Sequence, residues 1–423
     1  MTMWIALGIF VLTYVLLLSL PNYRSYVALA SAAVFVIIGI MPVNLVFSSI
    51  DWNVLMMIAG TMGIVALFIE SKMPNLLADL LMGVVPNVKW AVIALSLFSG
   101  IVSAFVDNVA TVLMVAPVAL AIAQKMKISP IPVVIAIAVS SNLQGAATLV
   151  GDTTSILLGG YAGMNFMDFF FFHGKMGMFW VVQFGALAAT VVLYFMLYKL
   201  NQPVESMGRT KVEDYFPTVL MVGTVVLLIL ASFLPTKPDI TNGLICVALF
   251  LIGLVRRLIK EGNAAPLSRY MKEIDWQTLM LLAGLFVVVA SIREAGVIDA
   301  IAQVFVKIGS GNVFLIYTLI VWVSVLLSAF IDNIPYVATM LPVVSSISLL
   351  MGVEPYLLYF GLLCGATLGG NLTPIGASAN ITGIGILRKA GYDVKSSDFL
   401  KIGIPFTLAA VITGYLIIWF LWA

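Results

Sequence analysis

The strongest constraint in this chain is a phrase that occurs twice. Ser103-Ala-Phe-Val-Asp107-Asn108-Val-Ala-Thr111-Val-Leu-Met-Val-Ala-Pro117 returns as Ser328-Ala-Phe-Ile-Asp332-Asn333-Ile-Pro-Tyr336-Val-Ala-Thr-Met-Leu-Pro342, at an offset of 225. Each copy sets an Asp-Asn pair inside a run apolar enough for lipid. A carboxylate at membrane depth is costly and by default marks a functional site. Two of them at equivalent places in two halves imply a pseudo-symmetric transport site.

Composition fixes the setting of that pair. Of 423 residues 62% are hydrophobic and 9% charged, and the mean hydropathy is +1.14. Soluble domains carry about 25% charged residues, so the chain is expected to cross the membrane many times. The two cysteines, Cys246 and Cys364, lie in apolar segments and imply no disulfide framework. His173 is the single histidine, which excludes a multi-His metal centre. It is placed at an outer interface beside Lys175. The apolar start, 1–20, has no basic leader and reads as a retained span. Neither a nucleic-acid-binding pattern nor a nucleophile–base constellation appears, so no enzyme and no nucleic-acid partner is expected.

Taken in order, spans are expected at 3–20, 25–41 and 54–69, with 42–50 a short connection and 72–85 an interfacial amphipathic helix. Residues 88–126 form a hairpin broken at Asp107-Asn108, its arms at or below the roughly 20 residues needed to span. Residues 130–162 read as a broken helix: Ser141-Asn142-Leu-Gln144-Gly145-Ala-Ala-Thr148-Leu-Val-Gly151-Asp152-Thr153-Thr154-Ser155 is dense in glycine and hydroxyls. Unwound backbone at that depth is tolerated only where it lines protein or a water cavity. Phe166–Phe172 reads as an aromatic interfacial piece and 176–198 as a span.

The boundary between halves falls at the polar connection 201–215, giving repeats 1–200 and 216–423. In the second half, spans at 217–233 and 240–255 precede a basic loop, 256–273. Asp275-Trp276 then repeats Asp51-Trp52, both aspartates reading as interfacial helix caps, and 295–308 is a second interfacial helix. The second hairpin is 312–351 and the second broken helix 355–388, around Gly369-Gly370-Asn371-Leu-Thr373-Pro374-Ile-Gly376-Ala-Ser378-Ala-Asn380. At the 225 offset Gly145 meets Gly370, Thr148 meets Thr373 and Gly151 meets Gly376. The last span is 402–421.

If the hairpins do not cross, each half crosses five times, and an odd number inverts the second half. This places 17 of the 21 basic residues, among them Arg24, Lys199, Arg256, Arg257 and Lys260, on one side. Lys175, Lys237, Arg293 and Lys307 fall on the other. The positive-inside rule makes the first side cytoplasmic. Both termini then face outward from an inner membrane. The fold class expected is an all-α polytopic membrane protein of two inverted repeats, each with a re-entrant hairpin and a broken helix.

At Asp107-Asn108-Val-Ala-Thr111, at Gly145 to Asp152 and at Gly369 to Asn380 the chain resembles the ion transporter superfamily. It is nearest the branch of arsenite permeases, citrate-transporter-like proteins and the melanosomal P protein. The resemblance covers nearly the whole chain. It implies a homodimeric secondary transporter working as an elevator, with a scaffold and a moving transport domain in each protomer. The dicarboxylate branch carries Ser-Asn-Thr at its hairpin tips, where this chain has Asp107-Asn108-Val109 and Asp332-Asn333-Ile334, which points away from sodium-coupled dicarboxylate chemistry. Gly151-Asp152-Thr153-Thr154 resembles bacterial sodium/proton antiporters. Arsenite permeases tend to carry Pro-Pro after that Asp, and this chain does not.

The expected binding set is Asp107, Asn108, Thr111, Asn142, Gly145, Thr148, Gly151, Asp152, Thr153 and Thr154 in the first half. In the second it is Asp332, Asn333, Gly370, Asn371, Thr373, Gly376, Ser378 and Asn380. Asp107, Asn108, Asp152, Asp332 and Asn333 are candidate sodium ligands; the aspartates equally suit helix capping. No organic cofactor is expected, only sodium or a proton as coupling ion. Neither hairpin tip nor broken segment contains Arg or Lys. That favours a cation, a neutral hydroxide, or an anion accompanied by a cation. The expectation is a secondary transporter of an inorganic ion or small anion embedded in membrane lipid. A sodium/proton antiporter and an ion channel are the alternatives.

Overall fold

A computed structural model describes residues 2–198, 200–203, 209–234 and 236–423. Lys199, and residues 204–208 of the expected connection 201–215, lie outside the described residues. Among the described residues the regular structure is helical, apart from a two-stranded turn pairing Phe171–Phe172 with Lys175–Met176 and an isolated bridge between Asn87 and Pro203. Eight described helices are long and apolar enough to cross a membrane. They are Thr2–Ser19, Trp52–Glu70, Asn108–Lys125, Met178–Met196, Thr241–Glu261, Trp276–Glu294, Asn333–Met351 and Ser396–Trp422.

The helices fall into two packing groups. In the first, Trp52–Glu70 lies against Thr241–Glu261, and Trp276–Glu294 against Arg24–Ile37. These frame pairs come close because glycine faces backbone. A Cβ on Gly60 would lie 2.4 Å from the carbonyl carbon of Cys246, and one on Gly284 would lie 2.7 Å from that of Ala28. Small residues at such contacts let helix backbones approach where lipid gives no hydrophobic drive. In the second group Val88–Ser103 and Asn108–Lys125 pack on Ile131–Gly145, and Met178–Met196 packs on Ser396–Trp422. The second hairpin, Val313–Ser328 and Asn333–Met351, packs likewise around Tyr356–Leu363.

Both hairpins turn at an aspartate that caps the second arm. Asp107 Oδ1 accepts from Val109 N at 3.0 Å and Ala110 N at 3.1 Å, and Asp332 Oδ1 accepts from Ile334 N at 3.1 Å. Each second arm contains a proline, Pro117 or Pro342. The amphipathic helix Val297–Ile308 bends by 117° into the first arm of the second hairpin. The first broken helix stops at Gly145 and resumes as Thr153–Ala162. The second passes from Tyr356–Leu363 through a π-helical turn, Cys364–Leu368, and resumes as Ser378–Lys389.

Three expectations are corrected. The expected span 25–41 is a helix only over Arg24–Ile37, because the chain turns at Gly39 with φ +77°, open to glycine. The expected connection 42–50 contains a helical piece, Val43–Ser49. The expected loop 256–273 is mostly helix: Thr241–Glu261 runs past Arg256 and Arg257, ends at Gly262 with φ +65°, and Ala265–Glu273 follows. Gly262 is a left-handed helix cap. Arg257 and Arg269 both bind Glu70 Oε1, at 2.6 and 3.0 Å, so the charges knit helix ends together.

Candidate functional site

The two hairpin tips and two broken helices meet around one cavity of about 390 Å³. Of the expected residues, Asp107, Asn108, Asp152, Thr153, Asp332, Asn333 and Ser378 line it. Each is placed at a helix start. Asp107 and Asp332 cap the second hairpin arms. Asp152 caps the resumed helix, Oδ1 accepting from Thr153 N at 2.7 Å and Oδ2 from Thr154 Oγ1 at 2.9 Å. Helix starts present free N–H groups and the positive dipole end to whatever occupies the cavity.

The remaining residues stand behind the lining. Thr148 Oγ1 donates to the Ala104 carbonyl, and Thr373 Oγ1 to the Ala329 carbonyl, the same bond 225 residues apart. A Cβ on Gly151 would lie 2.6 Å from the Gly145 oxygen and 2.8 Å from that of Ala104. On Gly376 it would lie 2.5 Å from the Gly370 oxygen and 2.9 Å from that of Ala329. Glycine is required at both points because hairpin tip and broken helix touch through backbone. Ser155 Oγ donates to the Gly145 carbonyl at 3.2 Å, and Asn380 Nδ2 to the Gly370 carbonyl at 3.2 Å.

A chain of amides crosses between the halves. Asn108 Nδ2 donates to Asn142 Oδ1 at 3.1 Å. Asn142 Nδ2 donates to the Thr367 carbonyl at 2.8 Å and to Asn371 Oδ1 at 3.1 Å. Asn371 Nδ2 reaches the Val139 carbonyl at 2.8 Å. Thr154 and Thr367 share a hydroxyl bond of 2.9 Å. Thr111 Oγ1 and Asn380 Oδ1 are buried without a hydrogen-bond partner.

Sequence reasoning missed part of this site. Glu273, Thr278 and Thr382 also line the cavity, as does Asp275. Asp275 does cap its helix, through Thr278 N at 3.0 Å, while facing the tips. The repeated Asp-Trp phrase was the available signal. A cation is also present that the site segments do not contain: Arg24 Nη1 lies 2.9 Å from Asp332 Oδ2, 308 positions away. Nothing in local spacing announces it. Asp51 caps Trp52–Glu70 and lines a separate cavity of about 460 Å³ with Tyr161 and Arg293. His173 is a turn residue with φ +47° against Phe172 and Tyr356, away from the tips. Among the described residues no three His, Cys, Asp or Glu side chains come together to hold one metal ion. A cation here would therefore combine no more than two carboxylates with amide and carbonyl oxygens.

A family described as citrate transporter matches residues 14–365. An uncharacterized transporter of Mycobacterium tuberculosis is 32% identical over 436 residues, covering 98% of this chain and 97% of the relative. The human P protein is 27% identical over 92% of this chain and 56% of its own length. The YdaH transporter of Alcanivorax borkumensis, a crystal structure described as having an unusual topology, superposes with a TM-score of 0.61 at 13% identity. The match covers 94% of this chain and 96% of that one, and the two share a fold. The eight apolar helices and these relatives make the chain an integral membrane transporter. It belongs to the citrate transporter family.

Proposed function

We propose that the protein is a secondary active transporter that moves a small anion or inorganic ion together with sodium or a proton, through the cavity between the hairpin tips. One observation carries this reading. Asp107, Asp152, Glu273, Asp275 and Asp332 line the cavity, and among the described residues Asp332 alone of these five is paired with a basic side chain, Arg24. Two like charges about 5 Å apart repel by roughly 3 kcal/mol at an effective dielectric constant near 20. A polycarboxylate such as citrate, the solute named for the family, meets that repulsion several times over. It enters with its charge covered by co-bound cations or protons. Asp107, Asn108 and Asp152, with carbonyl oxygens of the unwound segments, are the oxygen ligands a hard cation takes. Asp332 and Asn333 face the same space. Ser378 and Thr382 offer hydroxyls to the solute.

The motion we infer is an elevator. Hairpins and broken helices pack mainly with one another, and the frame helices likewise, which supports displacement of one group against the other. On this reading the halves are inverted repeats in an inner membrane, with both termini outside. The frame makes a homodimer contact.

The same acidic lining favours a second reading, a sodium/proton antiporter. Proteoliposome flux with a pH-sensitive dye inside separates them. Sodium, lithium, arsenite, silicate, phosphate and citrate are added in turn. A pH or sodium response that appears only with one of the solutes supports symport and names its cargo. Lumenal alkalinisation driven by sodium alone establishes the antiporter. Conductance that does not saturate removes the carrier reading.

A further inference from the structure

The two tip aspartates are duplicates in sequence and are unequal in the fold. Asp107 accepts only backbone N–H bonds, from Val109 and Ala110, and no ion pair reaches it among the described residues. Asp332 accepts one such bond from Ile334, and its other oxygen is held by Arg24 at 2.9 Å. Arg24 opens the frame helix Arg24–Ile37. Its Nε donates to the Leu17 carbonyl at 3.2 Å, which fixes the guanidinium against the first helix. Tyr14 adds to the grip. Its hydroxyl donates to the Pro335 carbonyl at 2.7 Å and bonds the Thr339 hydroxyl. The frame therefore holds the second tip and leaves the first free of ionic partners.

We propose that Arg24 is a built-in cation for Asp332, so that only the first tip, with Asp107, is left to bind the coupling or transported cation. The proposal rests on the cation-coupled reading above. A guanidinium stays charged at any physiological pH. A second cation beside Asp332 would face that fixed charge at contact distance, where like charges repel. At Asp107 no basic side chain among the described residues forms an ion pair that would oppose it. The duplicated site thus carries one exchangeable cation at its tips instead of two, and Arg24 sets that number.

The test is a sodium titration of tryptophan fluorescence on purified protein in nanodiscs, repeated at several pH values. Wild-type protein is expected to saturate as a single site. Asp107→Asn raises the half-saturating sodium concentration about tenfold or more, because a hard cation loses a charged oxygen ligand. Arg24→Gln frees Asp332 and adds a second step, in sodium or in protons. Arg24→Gln with Asp332→Asn removes both charges and returns the single-site curve. Arg24→Lys, which keeps the charge, also stays single-site and guards against misfolding of the glutamine variant. An unchanged curve in Arg24→Gln, or a double variant that loses sodium as Asp107→Asn does, overturns the proposal alone. A wild-type protein that answers neither sodium nor pH removes the cation-coupled reading and this proposal with it.

Discussion

Asn142 and Asn371 meet side chain to side chain at 3.1 Å, which joins the first broken helix to the second. Both are fully buried. Asn142 also accepts from Asn108 at the first hairpin tip and donates to the Thr367 carbonyl, so one amide ties three segments together. Asn142→Ala leaves the Asn108 amide, the Thr367 carbonyl and the Asn371 oxygen each short of a partner. A buried polar group without a partner costs about 1–3 kcal/mol. The expected result is a loss of roughly 2–4 kcal/mol in stability, read as a fall of several degrees in the thermal midpoint of purified protein, together with loss of flux. A midpoint equal to wild type would show that the amide chain is not holding the halves together.

Gly151→Ala and Gly376→Ala are expected to behave alike. In each, the new methyl meets backbone oxygens at under 3 Å, and backbone cannot move aside as a side-chain end can. Overpacking of this kind costs about 1–3 kcal/mol. Gly223→Ala is the control: its Cβ meets open space within Phe216–Ser232. There the change is expected to be neutral or to stabilise by up to about 1 kcal/mol. Thermal midpoints of the three variants side by side decide it.

The duplicated parts of this site could be read from the chain because repetition at a fixed offset needs no knowledge of packing. Thr148 with Thr373, Gly151 with Gly376 and Asp107 with Asp332 each make matching contacts in their own half. The contacts that differ between halves were hidden for the same reason. Asn142 aligns with Thr367, and Asn371 with Ala146, so the repeat gives no hint that the two asparagines meet. Arg24 reads as one more basic residue at a helix start, and only the packing of Arg24–Ile37 on Trp276–Glu294 brings it to the second tip. Past Val255 the run of charged residues suggests a loop, whereas Thr241–Glu261 continues as helix. There, Arg257 and Arg269 on Glu70 supply the partners that let a helix continue.

Asp107→Asn separates capping from charge. An asparagine oxygen can still accept from Val109 and Ala110 N, so the arm Asn108–Lys125 keeps its cap. The thermal midpoint is expected to stay near wild type while cation-driven flux falls to background. Asp107→Ala removes the cap as well, at about 1 kcal/mol, and should lower both. Normal coupled flux in Asp107→Asn would leave the aspartate as a cap and nothing more.

The charge distribution along the chain predicts its orientation, and single cysteines can check it. Cys246 and Cys364 are fully buried, which keeps background labelling low. Ser268, in the exposed helix Ala265–Glu273, lies in the region assigned to the cytoplasm. Gln303, exposed on Val297–Ile308, lies on the opposite side under the same assignment. In intact cells a membrane-impermeant maleimide is expected to label Gln303→Cys at once and Ser268→Cys only after permeabilisation. The reverse pattern would invert the whole molecule. Labelling of both from outside would mean that an odd number of crossings does not separate them, and the inverted-repeat reading would fall with the topology.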